Sequence, residues 1–198
     1  MGEPAPAAPV SEGARRPGDS TKEKLMKKVL WSGALALAVA ALVALVPAPA
    51  QAQEKLEGKA FDSAYVRDFY LEGNAIPTQK RNTVILKGAD GKRMAFGLLD
   101  TSGYSAEIQQ KYAGMMILER KVTVGDAAVG TGAYGFGLQK PTPAEGPGKL
   151  IVYDVAGVKA GEAAAQYDAA LAQPVPLQVV TKDGASRLYV GRHWVAIK

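Results

Sequence analysis

Gly130 to Gly137 read GTGAYGFG, and the first six of these residues have the G-x-G-x-x-G spacing that cradles a phosphate in some nucleotide-binding chains. That chemistry needs the N–H groups of a tight turn followed at once by a helix N-terminus, which holds the pyrophosphate. Here Gly137-Leu138-Gln139-Lys140 runs into Pro141, Pro143 and Pro147. No helix can start among those glycines and prolines.

A strand-turn-strand version of the same spacing covers ATP in protein kinases, and Val195-Ala196-Ile197-Lys198 repeats the V-A-I-K string that carries a kinase lysine. The lysine belongs on the next strand, whereas Lys198 follows about 60 residues on, and H-R-D and D-F-G are both missing. No nucleotide or other cofactor is expected. Gly130 and Gly132 read as a turn. Gly135 and Gly137 leave one strand face bare, which lets a backbone, an aromatic ring or a ligand approach closely.

Other catalytic chemistry finds little support. His193 is the single histidine, and no G-x-S-x-G elbow supplies a serine for it to activate. Ser102 and Ser105 suit a turn and a helix cap better. One histidine and no cysteine make a zinc site improbable, so no metal is expected. Asp62, Asp68, Glu72 and Asp100 are candidate acids, but nothing in their spacing selects the facing pair that glycoside hydrolysis requires.

Binding chemistry is denser. Glu72 to Asn82 (EGNAIPTQKRN) reads as a polar loop stiffened by Pro77. Arg81 offers a fixed charge, and Asn74 and Asn82 can orient polar groups. Arg192-His193-Trp194 closes the C-terminal hairpin, and Tyr104 could wall an apolar patch beside Trp194. The ligand-binding set expected from sequence is therefore Asn74, Arg81, Asn82, Tyr104, His193 and Trp194.

The elements that must position these residues are β hairpins. Thr83 to Lys87 leads through Ala89-Asp90-Gly91-Lys92 to Arg93–Leu99, and Leu177–Val180 leads through Lys182-Asp183-Gly184 to Arg187–Gly191. Asp-Gly tolerates the positive φ that tight hairpins need. Met115–Leu118 and Lys121–Val124 are strand-like, and Gly125-Asp126 makes a turn. Between Gly132 and Leu138, Tyr134, Phe136 and Leu138 alternate with smaller residues and share a core face. Lys149–Val155 reads as a central strand and Tyr65–Leu71 as the first. Ser105–Tyr112 predicts a short capped helix. Glu162–Ala172, rich in alanine and stopped by Pro174, predicts a second. The V-T-V-G turn followed by G-A-Y-G-F-G-L is similar to hairpins in prealbumin-like sandwich domains. The fold expected is mainly β: one antiparallel sandwich or small barrel of seven or eight strands with one or two short helices.

The N-terminus carries an address. Met26-Lys27-Lys28 is a basic start, Val29 to Val46 is uncharged, and Ala50-Gln51-Ala52 offers an A-x-A cleavage pattern. Residues 26–52 read as a signal peptide, with an N-terminal membrane anchor as the alternative. Residues 1–25 read as a disordered or mis-started extension, and 53–198 as an exported β domain with no membrane span after cleavage. The whole chain has a formal charge of +5; six of its 24 Lys and Arg and four of its 19 Asp and Glu precede residue 53, which leaves +3 for the domain. No Lys/Arg block is interleaved with aromatics, so no nucleic-acid partner is expected. The absence of Cys excludes disulfides and thiolate catalysis.

These observations lead to an exported, non-catalytic module of a bacterial envelope, periplasmic or extracellular, that binds a small ligand or an envelope protein. A small hydrolase of envelope or extracellular polymers and a structural envelope protein are the alternatives. Mass spectrometry of the protein from its native envelope is expected to find Gln53 as the mature N-terminus. A chain retaining Val29 to Val46 would mean an anchor.

Overall fold

The elements follow in the order β1 (Glu54–Lys55), α1 (Gly58–Ala64), β2 (Asp68–Leu71), β3 (Asn74–Lys87), β4 (Arg93–Leu99), α2 (Ala106–Lys111), β5 (Gly114–Leu118), β6 (Val122–Val124), β7 (Ala127–Val129), β8 (Gly132–Gln139), β9 (Gly148–Asp154), β10 (Lys159–Tyr167), β11 (Leu177–Lys182), β12 (Ala185–Val190) and β13 (His193–Ile197). The computed structural model describes residues 53–182 and 185–198. The extension and signal peptide read from sequence lie outside the described residues. Strands make up 55% and helices 9% of the fold, and the antiparallel sheet curls into a half-barrel. The 13 strands among the described residues exceed the seven or eight expected, because strands of two to five residues such as β1, β6, β7 and β13 are too short to show a periodic pattern of their own.

Backbone pairing runs β1-β3-β4-β5-β8-β9-β10-β13-β12-β11, with β2 beside β3, and β6 bridging β13 and β7. The curl occurs at β10. Its residues Lys159 to Ala165 pair with β9, while Gln166 and Tyr167 pair with Trp194 and His193 of β13. The sheet thereby folds back over its own inner face and encloses a large core, including Phe96, Met116, Phe136, Val152, Leu188 and Val195. A smaller core on the outer face joins Phe69, Leu71, Ile76, Leu99, Ile108, Tyr112 and Met115.

The hairpins at Asp90-Gly91 and after β11 form as expected, with Gly91 at φ 77° in the left-handed region. The capped helix forms as α2: the Ser105 hydroxyl accepts from the Ile108 N–H, and Ile108 and Tyr112 are buried. Three expectations are corrected. The alanine-rich Glu162–Ala172 is no helix; its first half lies within β10, with Ala163 and Ala165 buried and Glu162, Ala164 and Gln166 exposed. Sheet pairing, first with β9 and then with β13, overrides helix propensity there. The polar stretch from Asn74 to Asn82 is no loop but the first part of β3. Asn74–Pro77 pairs with β2, and the register to β4 shifts between Thr78 and Thr83. The expected first strand is shorter than read, because Tyr65 caps α1 and stacks on Phe61 at 5.9 Å between ring centroids.

In β8, Phe136 is fully buried in the inner core, with Tyr134 and Leu138 packed against it. The opposite, glycine face is filled by the chain itself. A Cβ at Gly135 would stand 2.7 Å from the Tyr112 ring and 3.0 Å from Leu71, and one at Gly137 would overlap the Lys111 carbonyl oxygen. The face that sequence leaves bare thus admits an aromatic ring and the end of α2.

Gly137→Ala is expected to destabilise the fold by about 2–3 kcal/mol, since the opposing atom is backbone and cannot swing away. Gly103→Ala, where nothing lies within 4 Å, is the control and should change stability by less than about 0.5 kcal/mol. Urea unfolding of both variants checks this, and equal midpoints would refute the packing account.

Candidate functional site

The residues singled out from sequence divide between two layers. Asn74, Arg81, Asn82 and Tyr104 belong to the outer layer around β2 and β3. The Tyr104 hydroxyl donates to the Ala75 carbonyl, Asn74 Nδ2 to the Glu72 carbonyl at 3.0 Å, and Asn82 Nδ2 to Gln79 Oε1 at 2.7 Å. Gln79 Nε2 donates to the Leu99 carbonyl at 3.0 Å, and Thr83 Oγ1 to the Gln79 carbonyl at 2.9 Å. Gln79 and Asn82 therefore hold the register shift in β3, while Asn74 closes the turn before it, Lys80 pairs with Asp62 at 2.8 Å and Arg81 is exposed. His193 and Trp194 start β13, on the far side of the curl.

Consecutive strand residues face opposite ways, and this separates His193 from Trp194. His193 points inward and is 4% exposed. Its Nε2 lies 3.0 Å from the Gly146 carbonyl, which can only accept, so that nitrogen carries the proton. The ring meets Tyr167 edge-on at 5.3 Å. Its Nε2 proton is directed to the backbone, and its ring packs on Tyr167.

Trp194 points outward and is half-buried. The Arg187 guanidinium carbon lies 4.1 Å above its ring centroid, and Tyr189 packs against it at 6.3 Å. The register explains the stack: Tyr189 is opposite Trp194, and Arg187 is opposite Ala196 on the same face. Tyr189 is nearly buried and donates to Asp168 Oδ2 at 3.0 Å. From the β12–β13 turn, one nitrogen of Arg192 donates to the carbonyls of Asp168, Ala169 and Leu171 at 3.0–3.2 Å. Backbone and side chains so fix the segment after β10 against this face. Sequence reading found Trp194 but missed Arg187. The signal was available, since Arg-x-Tyr before a tight Gly191-Arg192 turn and Trp after it places all three side chains on one face.

A second polarised cluster sits on the outer layer. Glu72 Oε1 accepts from Lys111 Nζ and, at 2.6 Å, from the Tyr112 hydroxyl. The Lys111 ammonium lies 5.3 Å from the Tyr112 ring centroid and 5.0 Å from that of Tyr153, and those rings meet edge-on at 5.5 Å. The Lys111 and Tyr112 hydrogen bonds hold the Glu72 carboxyl below its ordinary value, against a smaller opposing effect of desolvation. Burial, then the Glu72 carboxylate, pushes the Tyr112 phenol upward. A stabilised carboxylate beside a phenol that keeps its proton is poorly matched to acid–base work near neutrality. The cluster is a latch. Glu72 itself adopts φ 49°, unusual for a residue with a side chain, and its N–H donates to the Val155 carbonyl at 2.8 Å.

Among the described residues, no group of three or more His, Cys, Asp or Glu could hold a metal, and no helix is long and apolar enough to cross a membrane. No protein-family model, curated protein or solved structure matches the chain.

The latch sets a pH dependence. A carboxyl whose folded pKa is depressed contributes stability above its unfolded value, near 4.5, and loses it as pH falls through the folded value. Glu72→Gln is expected to cost about 1 kcal/mol at neutral pH, as a partly exposed charged hydrogen bond. The difference from the parent should shrink below about pH 4. Thermal melts across that range check it, and a difference independent of pH would show that the charge contributes nothing.

Proposed function

We propose that the chain is an exported, non-catalytic binding module and that the outward face of β11, β12 and β13 is its binding surface. The observation that carries this reading is the stack of Arg187 on Trp194. A guanidinium held over an indole loses little freedom when it binds, and among the described residues the Arg187 side chain has no ion-pair or hydrogen-bond partner. Arg, Trp and Tyr are also the residues that dominate binding energy at protein interfaces. The envelope setting rests on the basic, apolar and small-residue pattern of residues 26–52.

A photoreactive residue placed at Ala196, beside this stack, is expected to give a discrete adduct in the native envelope. The same residue at Tyr70, which is 66% exposed in the outer layer, should give none. Arg187→Glu should abolish the adduct at 196. Adducts that are equal at both positions, or indifferent to Arg187, count against the reading, as does the absence of any adduct at 196.

A further inference from the structure

The stack is one end of a longer pattern. On the small, C-terminal side of the curl, inward residues alternate with outward ones. Leu188, Val195, Ile197, Val122, Val124 and Val129 fill the inner core. The outward positions are Gln178 and Val180 of β11, Arg187 and Tyr189 of β12, Trp194 and Ala196 of β13 with Lys198 just beyond it, Thr123 of β6 with Lys121 just before it, and Ala128 of β7. None of these is acidic. The flanking acids are Asp126, in the β6–β7 turn, and Asp168, which accepts from Tyr189. Asp183, in the β11–β12 turn, lies outside the described residues.

Register places the polar members in line. Gln178 is opposite Tyr189, two residues from Arg187. Arg187 is opposite Ala196, two residues before Lys198. Lys198 and Thr123 exchange backbone hydrogen bonds of 2.8 and 3.0 Å, and Lys121 stands two residues before Thr123. Each step from Gln178 to Arg187, Lys198 and Lys121 crosses one strand and moves two residues along it, always in the same sense. Such diagonal neighbours are about 7–8 Å apart. The line ends in an open cleft of about 350 Å³ bordered by Lys121, Thr123, Ala128 and Lys198. Neither Lys121 nor Lys198 has an ion-pair partner among the described residues.

We propose that this diagonal binds an extended acidic segment of a protein, with carboxylates at alternate residues. In an extended chain, side chains on one face repeat every two residues, or about 6.6–6.8 Å, which long Arg and Lys side chains can match. The Arg187 fork takes one carboxylate in bidentate fashion, Lys198 and Lys121 take the following ones as point charges, and Gln178 meets the backbone or a polar side chain. No acidic side chain along the line opposes such a segment. The inference rests on the binding face proposed above and names its partner's chemistry.

Isothermal titration of the full chain with three peptides of equal charge tests it. One carries Glu at every second residue, one carries the same Glu residues in a single block, and one carries them four apart on a helical scaffold. The alternating peptide should bind at least about fivefold more tightly than the other two, and its affinity should fall as salt rises. Arg187→Gln should weaken binding about tenfold, as loss of a charged bidentate contact. Lys198→Gln should weaken it about threefold, as loss of a rim charge. Melting curves of both variants establish that they fold. Equal affinity for all three peptides, affinity unchanged in R187Q, or a stronger response to polyphosphate or a polyuronate than to the alternating peptide would overturn the acidic-segment assignment. Adducts at Ala196 that still depend on Arg187 would then leave the binding face standing without it.

Discussion

Close approach of small residues at the bend of the sheet is the constraint on which the rest of the molecule depends. Gly125, in the β6–β7 turn, lies so near β10 that a Cβ there would stand 2.5 Å from the Ala163 methyl, and one at Gly161 would stand 3.0 Å from that of Ala127. This contact lets the β6–β7 hairpin seal the inner core with Val122, Val124 and Val129. It also brings β6 beside β13, so that Thr123 meets Lys198. A larger residue at 125, 161 or 163 would lift the flap, open the core and break the line of cations together. Ala163, one of the β10 alanines that resemble a helix in sequence, is held small by this contact.

The two faces of the central strands serve different ends. The inner face is packed with Phe, Met, Leu and Val and closes on itself. The outer face is covered locally, by β2 and α2, and the cover is held by apolar contacts and by the Glu72 latch. Gly135 and Gly137 make the cover possible, because only a strand without side chains on that face admits Tyr112 and the end of α2. What looks in sequence like a cradle for phosphate is in the fold a seat for the protein's own helix.

Local signals in the sequence were legible where local physics decides the outcome. Asp90-Gly91 and the alternation of Tyr134, Phe136 and Leu138 read correctly, because turn geometry and pleat are properties of a few adjacent residues. Ser105 announced its helix for the same reason. Glu162 to Ala172 misled, because local alanine content favours a helix whereas pairing with the preceding β9 and with the distant β13 makes it a strand. The donors between Asn74 and Asn82 suggested a display loop, yet Gln79 and Asn82 hold a register shift that no single sequence reveals. For the candidate site, Trp194 was legible as an aromatic at a strand end. Arg187 was not, although its place two residues before Tyr189 fixed its face. The alignment of Lys121 with Lys198 depends on β6 meeting β13 across some 70 intervening residues, which the strand pattern alone does not disclose.

The pairing of Ile197 with Val124 also bears on how the chain reaches this state. β13 is the shared neighbour of β6, β10 and β12, so the inner core cannot close until it is in place. Contacts so distant in sequence form slowly, because the entropy of a long loop is lost before any packing compensates it. Until then β6 and β7 have only each other as strand partners, beside their contact with β10, and strands of three residues are too short to persist alone. Val122, Val124 and Val129 are therefore sealed late, and until β13 pairs with β6 they are exposed to wrong association.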